Sequence, residues 1–135
     1  MSSLRNYTVQ TVHIQCPFDT AWDYLNDPIN QKEWAIHFYK DIQKVGNQYI
    51  ATTPFGEVPL ELEANETTHC IDLSFGGGTP VPSRLIESGE NSCLYVFVLF
   101  QPAGMPDAVW ATQGIPNTIE ELKILKKILE EKVMA

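Results

Sequence analysis

Basic residues are scarce in this chain. Nine Lys and Arg stand against 17 Asp and Glu, a formal charge of −8. No Lys or Arg lies between Lys44 and Arg84, or between Arg84 and Lys123. Of the remainder, Lys123, Lys126, Lys127 and Lys132 are interleaved with Glu120, Glu121, Glu130 and Glu131. Nucleic-acid binding wants a contiguous basic stripe to neutralise phosphates, and none is present. An anionic membrane surface is repelled for the same reason. Long apolar runs are missing too: the longest, Cys93 to Phe100, has eight residues, while a membrane helix needs about 20. No membrane insertion is expected. Cysteine is sparse, with Cys16, Cys70 and Cys93 far apart and odd in number. That argues against a disulfide framework and fits a reducing, cytoplasmic setting. The stretch from Met1 to Tyr7 has no apolar signal segment, which points the same way.

Reactive constellations are equally hard to find. His13, His37 and His69 show no H-x-x-H or H-E-x-x-H spacing. His69 and Cys70, as neighbours in a strand, point to opposite faces and cannot chelate together. Neither a metal nor a cofactor is expected. Nothing in the spacing brings a Cys or Ser to a His held by a carboxylate, as nucleophilic catalysis requires. Gly76-Gly77-Gly78 lacks the G-x-G-x-x-G pattern and reads as a wide hairpin loop. General acid–base chemistry would fall to His37, Tyr39, Asp72, Arg84 or Tyr95, with no pair among them that assigns a reaction.

Strands and a helix are abundant instead. Tyr7 to Gln15, rich in Thr, Val and Ile, reads as a first strand that Cys16-Pro17 ends. Phe18, Ala21, Trp22 and Leu25 follow the i, i+3, i+4, i+7 spacing of a short helix. Asn26-Asp27-Pro28 stops it, and Ile29 to Trp34 can form another turn of helix. Six strands follow, from Phe38 to Lys44, Gln48 to Thr53, Val58 to Asn65, His69 to Phe75, Val81 to Ser88 and Ser92 to Gln101. Short turn signals separate them, so they form an antiparallel meander. Val58, Leu60, Leu62 and Ala64 alternate with Glu57, Pro59, Glu61 and Glu63, giving one buried and one solvated face. Cys93 to Phe100 is apolar on both faces.

Three prolines and two glycines make Pro102 to Pro116 a long loop, with Met105, Val109 and Trp110 as its apolar members. Trp110 is the expected lid of anything beneath. A long helix then starts at a T-x-x-E capping box, Thr118 with Glu121. Ile119, Leu122, Leu125, Leu129 and Val133 form one apolar stripe along it, and Ile124 with Ile128 a second.

The order of these elements, in one domain over residues 1–135, resembles the helix-grip fold of the START-like SRPBCC superfamily, which includes the birch pollen allergen and polyketide cyclases. Pro17-Phe18-Asp19-Thr20-Ala21-Trp22-Asp23-Tyr24-Leu25-Asn26-Asp27 is similar to the family's P-x-(D/E)-x-(A/V)-W-x-x-L-x-D first helix. Trp34 stands where many members place a tryptophan before the second strand. Leu122-Lys123-Ile124-Leu125-Lys126-Lys127-Ile128-Leu129-Glu130 is similar to the closing L-K-x-x-L-E helix. The resemblance implies an α+β fold: a curved, seven-stranded antiparallel sheet around a long C-terminal helix, with two short helices after strand one. A cone-shaped alternative would need its long helices before the strands.

Such a fold leaves a gap between bent sheet and helix. The resemblance implies a cavity that binds a small hydrophobic molecule, whether lipid, polyketide or aromatic metabolite. Its expected walls are Trp34, Phe38, Phe55, Leu60, Leu62, Phe75, Arg84, Tyr95, Phe97, Trp110, Ile119 and Leu122. The family also contains cyclase and dehydrase enzymes and regulators of partner proteins, and these are the alternative readings. A monomer or weak homodimer is expected, since one face of the last strand is apolar without an evident cover.

Overall fold

The structure, a computed structural model of the chain, describes residues 5–78 and 80–134. Strand β1 (Tyr7–Ile14) leads into helix α1 (Phe18–Leu25), a 3-10 turn (Pro28–Asn30) and the single-turn helix α2 (Gln31–Trp34). Strands β2 (Asp41–Val45), β3 (Gln48–Thr53), β4 (Gly56–Ala64), β5 (Cys70–Phe75), β6 (Val81–Gly89) and β7 (Ser92–Phe100) follow. They form a seven-stranded sheet in the order β1-β7-β6-β5-β4-β3-β2. Every pairing is antiparallel, and β1 closes onto β7 with Tyr7 opposite Phe100 and Ile14 opposite Cys93. A meander therefore folds back until its first and last strands meet.

Local chemistry explains the breaks. Asp27 accepts the Ile29 amide at 3.1 Å and so caps the 3-10 turn that Pro28 opens. Between β2 and β3 the two-residue turn starts at Gly46, whose φ of +63° suits a tight hairpin and few side chains. On β4 the alternation holds for Val58, Leu60 and Leu62, which are covered while Glu57, Glu61 and Glu63 are exposed; Ala64, expected on the buried face, is exposed at the strand end. Inward side chains from the strands meet the C-terminal helix in one core containing Ile14, Leu85, Tyr95, Leu125 and Leu129. On β7 the inward Cys93 and Tyr95 are fully buried; Leu94, Val96 and Val98, on the outer face, are half-buried.

The C-terminal helix departs from expectation. It begins at Asp107 and has three consecutive segments: Asp107–Val109, a π-helical turn Trp110–Gly114, and Ile115–Met134. Together they are α3. Only Pro102 to Pro106 is loop, pinned where the Gln101 side chain donates to the Met105 carbonyl at 2.6 Å and to Asp107 Oδ1 at 3.0 Å. Pro116 reads as a breaker because it lacks an N–H and crowds the carbonyl four residues back. Here the turn just before it is widened, with the Ile115 amide reaching the Trp110 carbonyl five residues back. The extra residue relieves that crowding and the helix runs through.

Thr118 and Glu121 consequently form no capping box. Thr118 lies inside the helix and donates its hydroxyl to the Gly114 carbonyl at 2.9 Å. The buried face of α3 is Thr118, Glu121, Leu122, Leu125 and Leu129. Ile119 and Val133 fall beside it, 36% and 47% exposed.

Candidate functional site

A cavity of about 300 Å³ lies between the concave sheet and the first half of α3. Phe75, Val81, Phe97 and Leu99 supply the sheet wall, and Val109, Trp110, Gly114 and Leu122 the helix wall. Trp34, Ala35, Phe38 and Tyr39, around α2 and the segment after it, close one end. Phe38 and Phe75 meet edge-on with centroids 5.2 Å apart, and Tyr39 packs on Phe38 at 4.8 Å. Phe55 belongs to the wall as well, on the turn between β3 and β4, and is 59% exposed. That turn is held by Thr53, whose hydroxyl donates to the Gly56 carbonyl and accepts the Phe55 amide.

Seven of the twelve expected wall residues meet here: Trp34, Phe38, Phe55, Phe75, Phe97, Trp110 and Leu122. The other five lie elsewhere. Leu60 and Leu62 point inward, but towards a separate depression beside Asn26 and Pro28. Tyr95 is wholly buried, two residues along β7 from Phe97, where it packs edge-on against Trp34. Ile119 borders a shallow groove against β1 with Lys123 and Lys126. Arg84 is exposed on the outer face of β6 and donates to the Thr68 carbonyl at 3.0 Å. An even position on that strand, opposite Val96, turns it outward because Ser83 and Leu85 occupy the core side. Asp72 lies on the outward side of β5 by the same parity, since Ile71 and Leu73 are buried. Trp110 is 5% exposed and sits on the π turn, so it is a helical wall rather than part of a loop.

Polar groups on the wall are few, and most are engaged. Tyr39 donates its hydroxyl to Gln31 Oε1 at 2.7 Å. Burial pushes the Tyr39 phenol far above its ordinary value, with Tyr95 and Glu121 nearby adding to the effect. Tyr95 is pushed up to about 12 by burial, so both phenols stay protonated at neutral pH. His37 Nε2 lies 3.1 Å from Glu120 Oε2.

Glu121 is the carboxyl of the site. It is 8% exposed, and its Oε2 accepts the His37 amide at 2.9 Å. Burial raises its pKa, opposed by hydrogen bonds from the His37 and Phe38 amides and by the nearby His37 ring. Reading the sequence as a capping box assigned Glu121 to a helix end and hid it. The signal that could have found it is its spacing: Glu121 lies four residues before Leu125 and eight before Leu129, on the face that α3 buries. Trp34 adds an unusual feature. It is 4% exposed, and its indole N–H has no hydrogen-bond partner among the described residues.

Cys16 and Cys93 are brought together where the end of β1 meets β7. Both are free and fully buried. Among the described residues no cluster of His, Cys, Asp and Glu could hold a metal ion, and no helix is long and apolar enough to cross a membrane.

No family model matches the chain, and no curated protein is similar to it. Solved structures are similar in fold. An aromatase/cyclase from Streptomyces sp. R1128 superposes with a TM-score of 0.73 at 12% identity, covering 96% of each chain. The XoxI protein from Bacillus cereus gives 0.69 at 15% identity, covering 91% of this chain and 94% of the other. A point mutant of Thalictrum norcoclaurine synthase, in complex with a transition-state analogue, gives 0.65 at 10% identity and 98% of each chain. With its antiparallel meander joined by β1, two short helices after β1 and a long helix gripped by the sheet, the chain has a helix-grip fold, as these structures do.

Proposed function

We propose that this protein binds a small hydrophobic molecule in the cavity between its sheet and α3. One observation carries the reading: an open-ended cavity of about 300 Å³ is walled mainly by aromatic and aliphatic side chains, with a few polar groups among them. Small-molecule sites have this composition, and their volumes run from roughly 300 to 1,000 Å³. A core designed only for stability would close such a gap, because unfilled volume weakens packing. The π turn supports the reading, since π-bulges are frequent at functional sites and this one contributes Trp110, Gln113 and Gly114 to the wall.

A second reading is an enzyme of the cyclase or dehydrase type. Glu121 favours it, as a buried carboxyl with a raised pKa beside an apolar cavity is suited to general acid–base work. Of the five acid–base positions weighed from sequence, His37 and Tyr39 border the cavity while Asp72, Arg84 and Tyr95 do not. Regulation of a partner protein is the third reading, with the exposed Tyr7, Val9 and Ile86 as its basis. The same outer residues fit a monomer or weak homodimer.

Titration with the neutral apolar fluorophore N-phenyl-1-naphthylamine tests the binding reading against a cavity-filling Val81→Phe variant. Wild-type protein is expected to take up the probe and the folded variant to lose most of that uptake. Equal uptake by both, or none by either, would refute it. Native mass spectrometry of freshly purified protein adds a direct search for a retained molecule.

A further inference from the structure

We propose that the free edge of β1, beside α3, is a docking site for an acidic, extended segment of a partner protein, which adds to the sheet as a further strand. The site is separate from the cavity and gives the partner reading a surface of its own.

β1 ends the sheet, with β7 on one side and no strand on the other among the described residues. The Gln101 amide donates to the Asn6 carbonyl at 2.8 Å, which makes these two a hydrogen-bonded pair. Such pairs alternate along an antiparallel ladder, so Tyr7, Val9, Thr11 and His13 turn their amides and carbonyls to the open side. α3 closes one end of that row: Lys126 donates to the His13 carbonyl at 3.0 Å, and Glu130 accepts the Gln15 amide at 2.8 Å. The amides of Val9 and Thr11 meet no partner among the described residues. Open edges are templates for pairing, and proteins ordinarily blunt them with lysine, proline or a bulge. β2, at the opposite edge, carries Asp41 and Lys44. From Tyr7 to Ile14 there is no proline, Lys, Arg, Asp or Glu, and the pairing with β7 has no bulge.

A groove runs between this edge and α3. Thr11, Val12 and His13 all border it. Neighbours in a strand face opposite sides, so the groove follows the strand's edge rather than one of its faces. Across it stand Lys123, Lys126 and Lys127, three of the nine basic residues in a chain of formal charge −8. Glu130 is the one carboxylate bordering the groove, and it is spent on Lys126 and the Gln15 amide. Lys123 and Lys127 are exposed and form no ion pair among the described residues. Salt screens exposed charges beyond about 8 Å at physiological strength, so an incoming strand meets these lysines and not the distant acidic surface. A second copy paired edge to edge would be isologous and set the same lysines against one another. The charge therefore favours a partner of opposite sign. On the outer face Tyr7 and Val9, 61% and 52% exposed, offer cross-strand contacts. The segment that fits alternates acidic residues towards α3 with apolar ones towards Tyr7 and Val9.

Fluorescence anisotropy with a labelled peptide of alternating glutamate and valine tests the site. Wild-type protein is expected to bind it about tenfold more tightly than the lysine–valine counterpart. The glutamate–valine peptide N-methylated throughout keeps its charge but cannot pair as a strand, and should not bind. Lys123→Glu combined with Lys127→Glu, both on the solvated side of α3, should weaken binding about tenfold. Thr11→Pro should abolish it, since it removes an amide that faces away from β7 and proline is tolerated at such an edge position. Both variants should still take up N-phenyl-1-naphthylamine as wild type does. Circular dichroism checks that each folds; if Thr11→Pro does not, the N-methylated peptide decides the part played by the backbone. Equal binding of the two charge forms, binding of the N-methylated peptide, or no binding of any peptide would overturn the proposal and leave the cavity reading standing. So would a dimer of the protein alone that Thr11→Pro dissolves, which would assign the edge to a second copy.

Discussion

The indole ring of Trp110 lies so close to Gly114 that a Cβ built there would stand 2.8 Å from Trp110 Cε3. The two residues are the first and last of the π turn, and both border the cavity. Gly114 is therefore in a helix for a steric reason, although glycine costs about 0.5–1 kcal/mol relative to alanine in such a place.

Gly114→Ala should accordingly destabilise the protein. Propensity favours the alanine, but a buried ring must shift to admit the methyl, and overpacking of this kind costs about 1–3 kcal/mol. Urea unfolding of both proteins measures the difference. A gain in stability would mean that the ring moves freely and that the contact is unimportant.

For Trp110→Ala the same geometry predicts a loss of about 3–5 kcal/mol, typical of truncating a buried aromatic. A lid on a loop would instead change the exchange rate of an apolar probe at little cost in stability. Stopped-flow probe release and thermal melts together distinguish the two. Near-wild-type stability with altered release would restore a gating role and contradict Trp110 as a fixed wall.

The paired thiols give a chemical prediction. Burial pushes the Cys93 thiol up to about 12, with the neighbouring Cys16 adding to the effect, and burial likewise raises Cys16. Thiolate is the reactive form, so both should resist a thiol reagent in the native protein while the half-buried Cys70 reacts. One fast-reacting thiol before denaturation and three after is the expected count. Rapid labelling of Cys16 or Cys93 in folded protein would show that the β1–β7 end opens readily.

Glu121 should leave a mark on stability against pH. Its pKa is raised in the folded state, from an unfolded value of about 4.3, so the folded protein holds the proton more tightly. That stabilisation is complete below about pH 4 and is lost as pH rises through the folded pKa. Glu121→Gln keeps an acceptor for the His37 amide but cannot ionise. Its stability relative to wild type should therefore increase from pH 4 upward and then level off. Asp41, held low chiefly by Lys32, and Glu130, held low chiefly by Lys126, pull the other way. They are present in both proteins and cancel in the difference. A difference independent of pH would remove the burial cost assigned to Glu121.

Much of this architecture was legible because its signals are local. The alternation of β4, the spacing of Phe18, Ala21, Trp22 and Leu25, and the turn at Gly46-Asn47 each depend on a few adjacent residues. What escaped depends on contacts across the sequence. Pro116 and Gly114 spell a loop by propensity, yet the helix continues because a π turn absorbs the proline and Trp110 fills the space beside the glycine. The meeting of Cys16 with Cys93 follows from β1 closing onto β7, which spacing alone does not encode. Arg84, an isolated cation, admits both a ligand-facing and an outward reading from sequence, and strand parity turns it outward. Aromatic walls were easier to anticipate than the carboxyl among them, since Glu121 on its own reads as one more solvated helix charge.

The most direct test of a ligand in this cavity is an amide- and indole-detected NMR titration with 2-naphthol. Shifts are predicted to concentrate at the Trp34 and Trp110 indole N–H signals and at the His37, Phe38 and Glu121 amides. Shifts confined to Val96, Val98 and Ile86 on the outer sheet face, or none at all with the ligand near its solubility limit, would contradict the account.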